Sequence, residues 1–294
     1  MKKSIKVLAL ILAAIMCLGM FAACGTGTAD KKDDEKAPAA DNTNDTVAEE
    51  NKANENENED GNEVVEDVTY EGTYEATIKM ATNAAFPPYE YKEGDKFVGI
   101  DVEIAKAIAA ELGTELDIVD MEFDSIITSV QAGEVDFGMA GMTVTDERKE
   151  EVDFSVSYAT GVQSVIVAEG SDIKTLDDLA GKKIGVQLGT TGDIYATDDF
   201  GADFVTQYGK GADAVIALQG GDVDAVIIDN APAQVFVSEN EGLTILDTNY
   251  AVEDYAIAIQ KGNDTLLNDI NKALEKLTLD GTIDSIILKY ISAE

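Results

Sequence analysis

The chain has 294 residues, with 21 basic against 58 acidic side chains, a formal charge of −37, and neither histidine nor tryptophan. Without histidine, Ser-His-Asp and Cys-His nucleophilic mechanisms and histidine-based zinc sites are excluded, and neither a cofactor nor a metal is expected. So acidic a chain repels phosphate backbones, which argues against nucleic acid as a partner.

Residues 1–23 read as an export signal: Lys2, Lys3 and Lys6 precede an apolar run from Val7 to Phe21. That run is shorter than the roughly 20 residues a membrane span needs. Phe21-Ala22-Ala23-Cys24-Gly25 is similar to a bacterial lipobox, which implies lipidation of Cys24, with palmitate among the expected chains. The chain has 2 cysteines, Cys17 inside the signal and Cys24. A processed protein therefore has no internal disulfide. Residues 24–69 are expected to be a disordered acidic tether. Residues 25–69 hold 15 acids against 4 lysines and few large apolar residues, too little to offset the entropy of ordering. Its ends would lie roughly 35–40 Å apart as a coil. A calcium-binding tract is the alternative, but no EF-hand loop pattern is present.

Residues 70–294 hold 43 acids against 14 bases and are long enough to bury a sizeable core. Strands are expected at 77–82, 116–119, 135–140, 164–168, 183–187, 223–228 and 255–259. Residues 83–88 are a loop, because Pro87 and Pro88 cannot continue a ladder. Helices are expected at 101–112, where Ile104, Ala105, Ile108 and Leu112 share a face; after a capping Asp124, ending at Gly133; from Thr145 through Glu151; and in a short turn from Thr175, with Asp178 completing a capping box, to Gly181. Further helices are expected at 212–219, after Asn230, at 264–279 and at 282–290. Residues 188–192 read as a turn. Strands alternating with helices mean an α/β protein with largely parallel sheets, and two such series mean two lobes. Ligands in such folds sit at the carboxyl ends of strands. That directs attention to Asn83–Phe86, Ala140–Thr143, Gly189–Gly192 and Asp229.

Arg148 is the chain's single arginine. Its planar fork suits a carboxylate, and a surface ion pair with Glu151 or a nearby Asp suits it equally. Asp229 ends an apolar strand, either to meet a cation or to cap the following helix. Thr190 and Thr191, flanked by glycines, offer hydroxyl and N–H groups as an anion nest without the lysine of a phosphate-binding loop. Phe86 is either a stacking face or core. Paired carboxylates for glycosidase chemistry are not singled out by any spacing.

The run Gly99-Ile100-Asp101-Val102-Glu103-Ile104-Ala105 resembles the signature of the polar amino-acid subgroup (family 3) of bacterial solute-binding proteins, which serve ABC importers. Thr82–Tyr91, Phe123–Ile127, Ala140–Arg148, Val152–Ser155, Gly185–Thr191 and Asp224–Asp229 are similar to the family in order and spacing. The resemblance implies a periplasmic-binding-protein-like (type II) fold. Its two lobes are residues 70–160 with 254–294, and residues 161–253, joined by two crossing strands around a cleft. It implies that Arg148 grips the α-carboxylate of an amino acid and that Asp229 takes its ammonium. Thr143 and Thr191, with Thr190 beside them, would add hydrogen bonds to the carboxylate. Ala140 and Gly141 would form the loop whose carbonyls help hold the ammonium, with Met142 beside them among the expected ligand contacts; Phe86 and Phe123 would line the side-chain pocket, and Asn83 and Gln187 would help select among side chains. The implied function is capture of a basic or neutral polar L-amino acid for an ABC permease, by a monomer lipid-anchored outside the cytoplasm. An enzyme on the same scaffold, such as a dehydratase or a wall-cleaving lyase, and a sensory ligand-binding domain are the alternatives.

Overall fold

The computed structural model describes residues 68–291. The expected signal peptide, Cys24 and nearly all of the tether lie outside the described residues. Among the described residues, no helix is long and apolar enough to cross a membrane.

The first sheet is built on β1 (Thr77–Thr82), which pairs in parallel with β5 (Glu115–Asp120) and β6 (Phe137–Gly138). It is completed by β14 (Ala258–Gln260) and β7 (Val152–Phe154), in the order β5-β1-β6-β14-β7. One face is covered by α1 (Ile100–Glu111), α7 (Asp264–Leu279) and α8 (Thr282–Tyr290). Ile100, Ile104 and Ile108 fall four apart on α1, as do Leu266, Ile270 and Leu274 on α7, so each helix presents one apolar stripe to Met80 and Phe137 of the sheet. Full burial of each such side chain stabilises by about 1.5–3 kcal/mol. The chain first docks at Tyr70–Tyr74: the N–H groups of Glu71 and Gly72 and the Tyr74 hydroxyl all donate to the Asp269 carboxylate of α7.

The second sheet has the order β10-β9-β11-β8-β12, from β8 (Ala159–Ala168), β9 (Ile184–Gln187), β10 (Val205–Tyr208), β11 (Ala225–Asp229) and β12 (Leu243–Ile245). Its strands are apolar on both faces. Val226 and Ile228 enter one core beneath α5 (Gly211–Gly220) and α6 (Asn230–Glu239), while Ala225 and Ile227 enter the other beneath α4 (Thr191–Phe200). A small antiparallel sheet of β2 (Ala85–Phe86), β3 (Glu90–Glu93) and β4 (Lys96–Val98) stands beside the first.

Two strands join the sheets. The start of β8 pairs antiparallel with β13 (Ala251–Tyr255), from Ala159↔Tyr255 to Gln163↔Ala251, and the rest of β8 continues into the second sheet. The chain leaves the first sheet along β8 and returns along β13. Gly161 lets these strands close: a Cβ there would meet the Tyr255 ring at 2.3 Å.

The sheets are mixed rather than largely parallel. A strand arriving from the other sheet runs against its new neighbours, so β8 is antiparallel to β11 and β12, and β14 to β6 and β7. Asp124 caps nothing: it lies within a 3₁₀ turn, Phe123–Ser125, and α2 (Ile126–Gln131) starts after Ser125 without a side-chain cap bond. The expected strand at 255–259 is divided between β13 and β14, and that at 135–140 shrinks to β6. The turn at 188–192 runs directly into α4, which has only Ala196 as a buried apolar side chain and so shows little periodicity. Thr145 opens α3 (Asp146–Glu151), accepting from the Arg148 N–H, and the Thr175–Asp178 capping box is formed.

Candidate ligand-binding site

Three of the four strand-end segments line one cavity at the crossing strands, enclosing about 340 Å³ of non-atom space, mouth included. Asn83 and Phe86 follow β1. Ala140, Gly141 and Thr143 follow β6, and Arg148 comes from α3. Gln187 ends β9, and Thr190 and Thr191 begin α4. All of these line the cavity, with Phe123. Two expected residues do not. Met142 is turned into the apolar core with Ala81, Ile126 and Val152, and Asp229 stands behind the Tyr255 ring.

Arg148 is 7% exposed. Its guanidinium donates to the carbonyl oxygens of Thr143 at 2.7 Å and Gly189 at 3.0 Å, thereby touching segments from both sheets. The guanidinium carbon lies 5.3 Å from the centroid of the Phe123 ring. The surface ion pair is not what forms: among the described residues no carboxylate lies within ion-pair distance of Arg148. Burial pushes its proton affinity down, opposed by the Glu253 carboxylate nearby, but a guanidinium keeps its charge at neutral pH. A buried cation held only by carbonyls and a ring face lacks the anion that would complete it.

Asp229, 1% exposed, has the opposite condition. Oδ2 accepts from the Val162 N–H and the Tyr255 hydroxyl, both at 2.8 Å, and Oδ1 accepts from the Ala231 N–H at 3.0 Å, capping α6. The capping alternative for Asp229 is therefore realised. Burial pushes its carboxyl up to about 6, against the lowering effect of these three donors.

Tyr255 is one of the cavity residues that the sequence did not single out. Its ring lines the cavity and packs edge-on against Tyr89, with centroids 5.4 Å apart. Tyr89 in turn stacks on Phe86 at 5.8 Å. Gly141, at φ +53°, fits between Phe86 and Tyr255, where a Cβ would approach both rings within 3.3 Å. The Gly141 N–H donates to Asp101 Oδ2 at 2.7 Å, and the Tyr158 hydroxyl donates to the same oxygen at 2.8 Å. Asp101, the first of the two acids in the signature run, thus fixes the loop 140–141 from behind. Its carboxyl is pushed up to about 6 by burial. Glu90 lines the cavity with both oxygens buried and without donors. Burial and the neighbouring Asp101 hold its carboxyl well above the usual range.

Asn83 and Gln187 meet across the cavity: Gln187 Nε2 donates to Asn83 Oδ1 at 3.0 Å, and Asn83 Nδ2 donates to the Met121 carbonyl at 2.7 Å. Thr190 caps α4, accepting from the Asp193 N–H, and its hydroxyl donates to the Gln187 carbonyl. The glycine-flanked turn is partly filled from within, since the Gly189 N–H donates to Asp193 Oδ2 at 3.0 Å. Glu90, Gln163 and Tyr255 line the cavity without having been singled out in the sequence. A glutamate after the Pro87-Pro88 break was the available signal for Glu90. Gln163 and Tyr255 lie on crossing strands whose position only the fold reveals. Among the described residues, no group of three or more His, Cys, Asp or Glu side chains could hold a metal ion.

The profile of the bacterial extracellular solute-binding proteins, family 3, matches residues 78–293. This chain belongs to that family. It is 36% identical over 225 residues to the arginine-binding extracellular protein ArtP of Bacillus subtilis, covering 73% of this chain and 86% of ArtP. It is 30% identical over 213 residues to the L-cystine-binding protein TcyJ of Escherichia coli K12, covering 71% and 80%. A solved ancestral arginine-binding protein bound to glutamine superposes with a TM-score of 0.72 at 42% identity, covering 75% of this chain and all of that one. The two-lobed fold and the cleft at the crossing strands are thus those of a solute receptor, and the family places the protein outside the cytoplasm.

Proposed function

We propose that this protein captures a basic or neutral polar L-amino acid and delivers it unchanged to an ABC importer. The observation that carries the reading is Arg148: a buried arginine with no counter-ion among the described residues, in a cavity with an acid, Asp229, behind the Tyr255 ring of its wall. In this reading the α-carboxylate completes Arg148. The α-ammonium is taken by the Ala140–Gly141 loop and Asp229, which requires Tyr255 to share or yield its contact with that acid. Phe86 and Phe123 enclose the side chain, and Asn83 and Gln187 choose among side chains.

Charge favours a basic ligand. Among the described residues Arg148 is the one cation lining the cavity, while Asp229 and Glu253 stand just behind, and a cationic ligand side chain would draw Glu90, which burial holds toward its neutral form, toward ionisation. A second positive charge on the ligand offsets more of that excess. The relatives named for arginine agree, and the ancestral protein bound to glutamine shows that a neutral amide enters a related cleft. Residues 70–160 with 254–294 form one lobe and 161–253 the other, and the ligand stabilises their closed arrangement. Cys24 carries the lipid, palmitate included, that anchors a monomer by its acidic tether.

A thermal-shift screen of the common L-amino acids tests the reading, since ligand that binds only the folded state raises the midpoint by mass action. At least one polar amino acid is expected to raise it and to be recovered chemically unchanged after long incubation. No shift with any of them would overturn the reading.

A further inference from the structure

Glu253, on the returning strand β13, is 5% exposed and belongs to none of the motifs read above. Three side chains converge on its Oε2. The Thr143 hydroxyl donates at 3.1 Å, the Thr191 hydroxyl at 3.0 Å and Gln163 Nε2 at 2.9 Å. Thr143 follows the first sheet, Thr191 opens α4 beside the second, and all three donors line the cavity. Its other oxygen, Oε1, is buried and has no partner.

A hydroxyl has one proton to give, whereas it can accept on two lone pairs. A carboxylate only accepts. The two threonine oxygens are 3.4 Å apart, but neither has a second proton to offer the other while both serve Glu253. Toward the cavity each therefore presents lone pairs and no hydrogen. We propose that Glu253 is a positioning residue which converts the Thr143 and Thr191 hydroxyls into acceptors and so orients the ligand. The hydroxyls then receive hydrogen bonds from an ammonium group. The carboxylate is left to Arg148 and to backbone N–H groups such as those of Thr191 and Gly192 in the first turn of α4, where that of Asp193 is already capped by Thr190. This departs from the expectation that both hydroxyls serve the carboxylate. It rests on the amino-acid reading above and adds a residue whose chemistry makes the pocket require an α-amino group.

The test compares each of L-arginine and L-glutamine with its des-amino analogue, which keeps the carboxylate and side chain but has no ammonium. Affinities are measured by calorimetry on the wild-type protein and on Glu253→Met, which fills similar space and accepts no hydrogen bond. The amino acid is expected to lose tenfold or more in Glu253→Met, while the des-amino analogue changes less than twofold or tightens, because freed hydroxyls can donate to its carboxylate. Glu253→Gln, which retains an acceptor oxygen, is expected to stay within about threefold of wild type. Equal losses for both ligands, or no loss for either, would overturn the proposal. Should Glu253→Met fail to fold, the isosteric Thr143→Val and Thr191→Val carry the same comparison. They too should weaken the amino acid more than its analogue, and equal weakening would show that the hydroxyls donate to the carboxylate. A wild-type protein that binds no amino acid at all defeats the functional reading itself, an outcome distinct from any of these.

Discussion

The two charged ends of the cleft are prepared in opposite ways. At one end Arg148 is a buried cation with no ion partner among the described residues, supported by two carbonyls and the Phe123 ring. At the other, Asp229 already accepts three hydrogen bonds, yet burial lifts its carboxyl to about 6. The first end lacks a charge and the second holds one in reserve. A ligand gains most by supplying the missing anion, and the acid end serves to place and discriminate the remainder. The geometry at Asp229 also stabilises the fold without ligand, through the α6 cap and the Tyr255 hydroxyl, whereas Arg148 has no counterpart until an anion arrives.

The largest expected effect lies at the unpaired end. Arg148→Ala should weaken every amino-acid ligand by about a hundredfold or more, because a desolvated carboxylate left without its partner costs about 3–5 kcal/mol. Arg148→Lys should recover only part of this, since an ammonium cannot reproduce the fork. Calorimetric titration of both variants checks the ordering, and an unchanged affinity in Arg148→Lys would remove the carboxylate assignment.

Next is Asp229→Asn. An asparagine still caps α6, so the melting temperature should move by only a few degrees while affinity drops about tenfold or more. A large fall in stability with intact affinity would make Asp229 purely a cap.

The pH dependence sharpens the same contrast. A ligand ammonium beside Asp229 favours its ionised form and lowers its proton affinity, so binding near pH 6 should release protons. Affinity should climb by about tenfold between pH 5 and 7, visible as a buffer-dependent binding enthalpy. Stability of the ligand-free protein should run the other way. Asp101 and Asp229 have folded values of about 6 against an unfolded value of 3.8, so their contribution is complete below 3.8 and lost as pH rises through 6. Asp120 and Asp269 are shifted down and act only at still lower pH. Thermal melts of the ligand-free protein at pH 5 and 7 should therefore favour pH 5, with the gap narrowed in Asp101→Asn.

The smallest effects belong to the side-chain pocket. Asn83→Ala and Gln187→Ala break the bond across the cavity and should alter affinities by about three- to tenfold. The rank order of amino acids should change, whereas Arg148→Ala preserves it.

Much of this was legible in the sequence where periodicity was long or chemistry rare. The helices at 264–279 and 282–290 have the boundaries their apolar spacing predicts, and a single arginine in an acidic chain identified the unpaired end. What escaped was set by contacts distant along the chain. Strands of two or three residues, such as β2 and β7, have no periodicity to read and form only because neighbouring strands offer them a ladder. Residues on the crossing strands, namely Gln163, Glu253 and Tyr255, reach the cavity because Gly161 lets β8 and β13 lie close, a relation linking positions 90 or more apart. Met142 sits beside cavity residues in sequence, but alternation along an extended segment turns it into the core.

The central claim, that Arg148 waits for the carboxylate of an amino acid, is met most directly by one comparison. The tightest-binding amino acid from the thermal screen is titrated alongside its decarboxylated amine into the wild-type protein and Arg148→Ala. The wild type should prefer the amino acid by at least about a hundredfold, and Arg148→Ala should erase most of that preference. Equal binding of the two ligands by the wild type, or a preference that survives in Arg148→Ala, would contradict the account.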